Sequence, residues 1–319
     1  MKIAFLTDPL SQFKIYKDSS YAMMVEAAGR GHQIYAFGPD DLALISGSVV
    51  ASVQEIHLTG DQQDWYQLGD VIDCHLADFD AVLQRKDPPF DMEYIYATYL
   101  LDLAERQGAL VFNKPSAIRD HNEKLSIAQF SQFTAPTLVT RNEQKIRRFF
   151  AEHQDIILKP LDGMGGAGIF RVRADGMNLG AVIETLTNNQ TRTIMVQRYI
   201  PEIVHGDKRI LLIGGTVVPY ALARIPQNGE VRGNLAAGGV GLAQKLTARD
   251  TEIAQTLAPI LLNRGLLLVG LDVIGDYLTE VNVTSPTCFQ EITEQTGLKV
   301  AAIFVDALEA QIVARNKQR

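Results

Sequence analysis

The chain has 319 residues, 46% hydrophobic and 21% charged, with a net charge of −7 and a pI near 5.4. This is ordinary globular composition, long enough for two packed cores. The acidic balance argues against binding along nucleic-acid phosphates, and no apolar run approaches the ~20 residues of a membrane span.

The two cysteines, Cys74 and Cys288, lie far apart and fit a reducing cytosol rather than a disulfide framework. The opening apolar run is stopped by Asp8 and is too short for a secretion signal, so a cytoplasmic location is expected. Residues 2–6 read as a first strand, 18–30 as a helix ended by Gly31, and 32–37 as a second strand. A hairpin follows from 49–58 with a partner near 42–45, then a strand at 80–84, a helix at 93–107 ended by Gly108, and a strand at 109–113. Alternating strand and helix implies a largely parallel sheet with helices on its faces.

Pro115 and the polar run 119–124 mark a boundary, dividing the chain into 1–121 and 122–319. Strands at 155–159 and 168–173 flank a glycine cluster, followed by a helix at 179–186 and a strand at 194–199. Strands at 209–213 and 217–225 meet at Gly214-Gly215, a hairpin signal. Residues 226–241 hold five glycines and few apolar side chains, the composition of a functional loop or a disordered one. A helix at 250–263, strands at 267–274 and 277–283 paired across Gly275-Asp276, and a helix at 300–315 complete the chain.

Gly163-Met164-Gly165-Gly166-Ala167-Gly168 matches G-x-G-x-x-G by letter. The dinucleotide motif needs a helix starting inside it, whereas Ile169-Phe170-Arg171-Val172 is β-rich, so this loop joins two strands. Four glycines within these six residues exceed what a plain turn needs. Backbone N–H groups without intervening Cβ atoms can approach phosphate oxygens, and such a loop can act as a lid. Lys159 ends the apolar strand before it, placed to meet the phosphates of a nucleotide.

In Leu278-Thr279-Glu280-Val281-Asn282-Val283-Thr284, strict alternation sends Glu280 and Asn282 to one face. Asp272 lies on the partner strand. Three oxygen-bearing side chains there suit magnesium, while the six histidines show no zinc spacing. The polar turn after Asn282 offers hydroxyls and amides to a substrate carboxylate. Arg224, Arg232, Lys208, Arg209, Arg85 and Lys86 sit at strand ends and loops, where an acidic protein would collect charge for an anionic ligand. Arg148, Arg192 and Arg264 read as solvated surface residues.

Five strings carry a resemblance. They are 155–170 (DIILKPLDGMGGAGIF), 224–239 (RIPQNGEVRGNLAAGG), 270–287 (GLDVIGDYLTEVNVTSPT), 85–98 (RKDPPFDMEYIYAT) and 112–125 (FNKPSAIRDHNEKL), with Asp18-Ser19-Ser20 near the start. Together they resemble bacterial glutathione synthetase over almost the whole chain. One departure stands after Thr287, where the family often has Gly and an aliphatic residue, and Arg before the Glu. Here Cys288, Phe289 and Gln290 precede Glu291.

The resemblance implies an α/β (α+β) ATP-grasp fold. An N-terminal open parallel-sheet domain, 1–121, would bind substrate and make oligomer contacts. An ATP-grasp domain, 122–319, would comprise a lid subdomain (122–200, with the glycine loop 162–168) and a C-terminal subdomain (201–319, with a mobile loop about 225–240). It implies ATP binding by Lys124, Lys159, Asp162, Gly163, Met164, Gly165, Gly166, Gln197, Arg198, Tyr199, Ile200 and Asp207. It implies Mg2+ (or Mn2+) held by Asp272, Glu280 and Asn282. Asp18, Ser19, Arg85, Ser285, Pro286 and Thr287 would bind substrate, and Arg209, Arg224 and Arg232 would serve catalysis, the last two also touching substrate. The implied reaction joins γ-glutamylcysteine to glycine with ATP through an acyl phosphate, in a homo-oligomer (tetramer or dimer) with no nucleic-acid or membrane partner. Residues alone reach only as far as an ATP- and magnesium-dependent ligase of an anionic substrate. A D-alanine or peptide-tail ligase, and a non-catalytic nucleotide-binding protein, are the competing readings.

Overall fold

The computed structural model describes residues 1–227, 233 and 238–317. The first part runs β1 (Lys2–Leu6), α1 (Ser19–Gly29), β2 (Gln33–Phe37), β3 (Leu42–Ile45), β4 (Ser48–Leu58), β5 (Tyr66–His75), β6 (Ala81–Gln84), α2 (Met92–Arg106), β7 (Val111–Phe112) and α3 (Pro115–Asp120). Its seven strands form a sheet in the order β3-β4-β2-β1-β6-β7, with β5 on β4. Only β2, β1, β6 and β7 run parallel, while β3, β4 and β5 join antiparallel. The expected largely parallel sheet is therefore mixed. β5 is absent from the sequence expectation: its alternating apolar residues, Tyr66, Leu68, Ile72 and Cys74, are interrupted by Gly69-Asp70, and most of the strand is exposed.

Alternation along β1 and β6 feeds both faces of this sheet. Ile3, Phe5, Ala81 and Leu83 share a core with Met23, Met24 and Ala27 of α1. Ala4, Leu6 and Val82 share another with Ala97, Leu101 and Ala104 of α2. Each helix starts on an aspartate cap: Asp18 accepts from Tyr21 N at 2.9 Å and Asp91 from Tyr94 N at 3.0 Å.

A 3-10 stretch, Leu125–Phe133, leads into β8 (Thr137–Thr140), α4 (Glu143–His153), β9 (Ile156–Pro160), β10 (Phe170–Val172), α5 (Leu179–Thr187) and β11 (Ile194–Arg198). These strands form a second sheet, β10-β9-β11-β8. The sequence expectation contains no α4, whose narrow apolar stripe of Ile146, Phe149 and Phe150 is set among charged residues.

A third, antiparallel sheet, β14-β13-β12-β15-β16, is built from β12 (Asp207–Ile213), β13 (Thr216–Ile225), β14 (Val240–Lys245), α6 (Ala248–Asn263), β15 (Leu268–Ile274) and β16 (Tyr277–Asn282), with α6 covering it. Gly214 and Gly215 both take positive φ (58° and 77°), the backbone that a tight β12–β13 turn requires. Then come α7 (Phe289–Thr296) and α8 (Val300–Asn316). α8 returns to the start of the chain and packs on α1, where Arg30 Nη1 meets Asp306 at 2.6 Å and Glu309 at 3.2 Å.

Candidate active site

The second and third sheets face each other across a cleft roofed by the glycine loop. β9 and β10 pair antiparallel, with Leu158 opposite Phe170, so the loop joins two strands and no helix begins in it. Gly165, Gly166 and Gly168 have φ of 60°, 85° and 70°. A Cβ on Gly163 would stand 2.9 Å from Pro160. The loop's path is therefore open only to glycine at several steps.

Lys124 and Lys159, both buried, come together beneath this loop. Their ammonium groups lie 3.5 and 3.8 Å from the same oxygen, Glu280 Oε1. Lys124 Nζ also donates to Gly163 O, and Lys159 Nζ to Thr279 O at 3.5 Å. Burial pulls the Lys159 pKa below its ordinary value, with Glu280 opposing. Gln197, Arg198, Tyr199 and Ile200, at the end of β11, line the cleft with Asp207, and Ile157, Ile203 and Ile274 make its wall apolar.

The floor is a buried charge network set by lateral register in the third sheet. Arg209 stands opposite Asp272 and Asp207 opposite Arg224. Arg209 Nε donates to Asp272 Oδ1 at 2.5 Å and its Nη2 to Oδ2 at 3.1 Å. Arg224 Nη2 bonds Asp207 Oδ2 and lies 2.8 Å from Asp272 Oδ2. Burial opposes the charge on Asp272, but two arginines hold its carboxyl below the usual range. Asp207 is pushed up by burial and by Asp272 and Glu280, against the pull of Arg224.

Asp272 and Glu280 are Cα partners across β15 and β16, and Asn282 follows on the same face as Glu280. Among the described residues no three His, Cys, Asp or Glu side chains are arranged to hold a metal ion. Two carboxylates and the Asn282 amide fit a hard cation that takes its other ligands from phosphate and water, which is how magnesium is usually held. Asn282 Nδ2 donates to Gly270 O at 3.1 Å, which leaves its amide oxygen for such a role.

Asp18, Ser19, Arg85, Ser285 and Thr287 line one adjoining pocket, between the first domain and the turn after β16. Arg85 is buried, donating through Nε to Ser20 Oγ and through Nη2 to Pro286 O, both at 2.9 Å. Its Nη1 has no partner among the described residues. Ser19 Oγ accepts from Phe289 N at 3.2 Å.

Other expected positions sit differently. Arg232 lies outside the described residues, as do 228–231 and 234–237 of the expected loop. Asp162 is on the rim, bound at 2.6 Å by Arg192, a residue that sequence reading leaves on the surface. Tyr199 lies under the Arg171 guanidinium at 3.4 Å, and Arg198 donates to Tyr277 Oη at 3.1 Å. Lys208 is committed to Asp250 and Gly275 O, and Lys86 to Asp8 at 2.8 Å.

Two residues without a motif also shape the site. Glu123 Oε1 accepts from Val283 N, Thr284 N and Thr284 Oγ1 at 2.9, 3.1 and 2.8 Å, pinning the turn beside the cleft. Gln290 Nε2 donates to Ile15 O and Asp18 O at 2.6 and 2.7 Å, tying α7 to the start of α1.

Comparison with known proteins gives the family and the fold. Residues 1–119 match the family described as prokaryotic glutathione synthetase, N-terminal domain, and residues 123–297 match its ATP-grasp domain. Glutathione synthetase of Ralstonia nicotianae is 69% identical over 310 residues, covering 97% of this chain and 95% of the relative. That of Nitrosomonas europaea is 60% identical, covering 99% and 100%. Among solved structures, the D-cycloserine synthetase DcsG has the same fold, with a TM-score of 0.69 at 16% identity over 98% of this chain and 100% of that one. The ATP-grasp ligase PsnB, complexed with minimal precursor, Mg and ADP, gives 0.62 at 19% identity over 98% of each chain.

Proposed function

The chain belongs to the prokaryotic glutathione synthetases, and we propose that the lysine- and arginine-lined cleft between its second and third sheets is where it works. The enzyme forms glutathione from γ-glutamylcysteine and glycine, converting ATP to ADP and phosphate with the aid of a divalent metal. We take that metal to be magnesium, held by Asp272, Glu280 and Asn282, where it would neutralise phosphate charge.

Lys124, Lys159 and the backbone of the glycine loop bind the ATP phosphates, and the end of β11 holds the adenine. Arg85 lines the pocket made with Asp18, Ser19 and the 285–287 turn, and its charge draws a carboxylate of the dipeptide there. A carboxylate resists an amine because its leaving group is poor. Transfer of the γ-phosphoryl group to the cysteinyl carboxylate makes an acyl phosphate. The amine of glycine then attacks its carbonyl, and phosphate leaves. Arg209 and Arg224 stabilise the oxyanion that develops. Water excluded by the closed glycine loop cannot hydrolyse the acyl phosphate first.

We further propose a cytoplasmic homo-oligomer. Met92, Tyr96 and Tyr99, exposed on α2, are the kind of surface that assembly would bury.

The observation that carries this reading is the convergence of Lys124 and Lys159 on Glu280 beneath the glycine loop, beside arginines gripping Asp272. Incubation with ATP, γ-glutamylcysteine and glycine tests it. Glutathione, ADP and phosphate should appear in equal amounts. ATP use without glutathione would reject it.

A further inference from the structure

β15 and β16 part at the last of the candidate metal ligands. Gly270 faces Asn282 across the two strands, and the same register carried on would set Leu268 against Thr284. It is not carried on, because β16 ends at Asn282 while β15 extends back to Leu268. The main-chain groups of Leu268 are thus left facing a fork between the strands.

Asn113 fills that fork. It follows directly on β7, the edge strand of the first sheet, and is 6% exposed. Its Oδ1 accepts from Leu268 N at 2.9 Å, and its Nδ2 donates to Leu268 O at 2.7 Å. The side-chain amide therefore pairs with Leu268 as the main chain of a neighbouring strand would. Nδ2 also donates to Val283 O at 2.8 Å. One side chain of the first domain thus bridges β15 to the residue after Asn282. Beside it, Lys114 N donates to Gly265 O at 2.9 Å, which docks the same segment on the approach to β15.

Val283 is held from its other end by Glu123, which accepts from its N–H at 2.9 Å. Both main-chain groups of Val283 are therefore engaged by side chains from outside the third sheet. The Asn282 amide is aimed by the strand that Asn113 splints, since its Nδ2 donates to Gly270 O at 3.1 Å. Loss of the Asn113 amide would take partners from one N–H and two carbonyls and let the end of β16 shift against β15. Hydrogen bonds behind a metal ligand are worth about 10–100-fold in metal affinity.

We propose that Asn113 is a positioning residue for the metal site. It acts through Leu268 and Val283, closing the β15–β16 fork so that the Asn282 amide oxygen stands beside Asp272 and Glu280. The inference rests on the metal site proposed above. A purely structural Asn113 would change stability and leave metal affinity alone.

The test is manganese binding to the full chain in the presence of ADP, read from the electron paramagnetic resonance signal of the free ion, well below each variant's melting temperature. In Asn113→Ser, whose smaller side chain leaves room for water at the freed groups, affinity should fall about tenfold. Hydrogen exchange of the 283–287 amides, without metal, should quicken at least about tenfold. Leu101→Ala, in the core between α2 and the first sheet, is the destabilised control and should bind manganese as the parent does. Should Asn113→Ser fail to fold, Asn113→Asp keeps the shape and the acceptor for Leu268 N, and should weaken binding at least about threefold. Unchanged affinity in a folded Asn113 variant, or an equal loss in Leu101→Ala, would overturn the proposal. Glu280→Gln separates the two readings. If it binds manganese normally, the metal site itself is wrong and the role of Asn113 falls with it. If it binds weakly while the Asn113 variants bind normally, the site stands and the inference about Asn113 alone fails.

Discussion

Asp272 and Glu280 face each other across β15 and β16, yet they are neutralised from opposite sides, the first by Arg209 and Arg224, the second by Lys124 and Lys159. The cleft thus has an arginine half and a lysine half. Arginine presents a flat fork suited to an oxyanion, and lysine a point charge suited to phosphate. The two carboxylates sit at the seam, where they could hold a divalent cation.

Glu280→Gln removes the charge shared by two lysines and one of two carboxylates offered to the metal. Metal affinity should fall at least about tenfold. A magnesium titration of turnover reads this directly. An unchanged half-saturation would remove Glu280 from the metal site.

Arg224→Ala would strand the buried Asp207 carboxylate, leave Asp272 to Arg209 alone, and lose about 3–5 kcal/mol of stability. Its inactivity would therefore be ambiguous. Arg224→Lys keeps the charge and loses the fork. Its kcat should drop by about 10²–10³-fold while its melting temperature stays within a few degrees. Near-normal kcat in this variant would take Arg224 out of the chemistry.

Glu123→Ala frees the 283–284 turn from three hydrogen bonds to one carboxylate oxygen. Stability should fall by about 2–3 kcal/mol. Because that turn leads into the Ser285–Thr287 wall, KM for the dipeptide should rise several-fold more than KM for ATP. Denaturant melts and steady-state kinetics check the two halves, and equal KM changes would contradict the second.

Burial, chiefly, pushes the pKa of Glu105 on α2 up to about 7 from 4.5. The folded protein thus holds this proton more tightly than the unfolded chain, so the group lowers stability as pH rises from about 4.5 to 7. Glu105→Gln should raise the melting temperature at pH 8 by about 1–3 °C, a figure reduced for partial exposure, and give no gain at pH 4.5. A gain of equal size at both pH values would show that the cause is not titration.

What could be read in the sequence was local. The glycine loop, Lys159 before it and the Glu280–Asn282 alternation are each fixed by near neighbours, and period 2 alone assigns their faces. The Asp207–Arg224–Asp272–Arg209 network depends on which strands lie side by side and in which register, and no local pattern encodes that. Glu123 reads in sequence only as part of the polar run 119–124, because its partners are some 160 residues away. Gln290 stands where the family often has another residue, and its bonds to Ile15 and Asp18 join segments that no local pattern links. The dipeptide and glycine followed from family resemblance, since arginines at strand ends specify an anion and not its identity.

The pairing of α1 with α8 has a bearing on how the molecule is made. Met23, Met24 and Ala27 share their core with Phe304, Val305, Leu308 and Ile312, more than 270 residues later. During synthesis the first sheet can form early, but its α1 side stays uncovered until the last helix leaves the ribosome. Until α8 emerges the nascent chain therefore carries an apolar flank suited to chaperone binding. A chain cut short before Val300 would keep every candidate ligand-binding residue and still be a substrate for degradation.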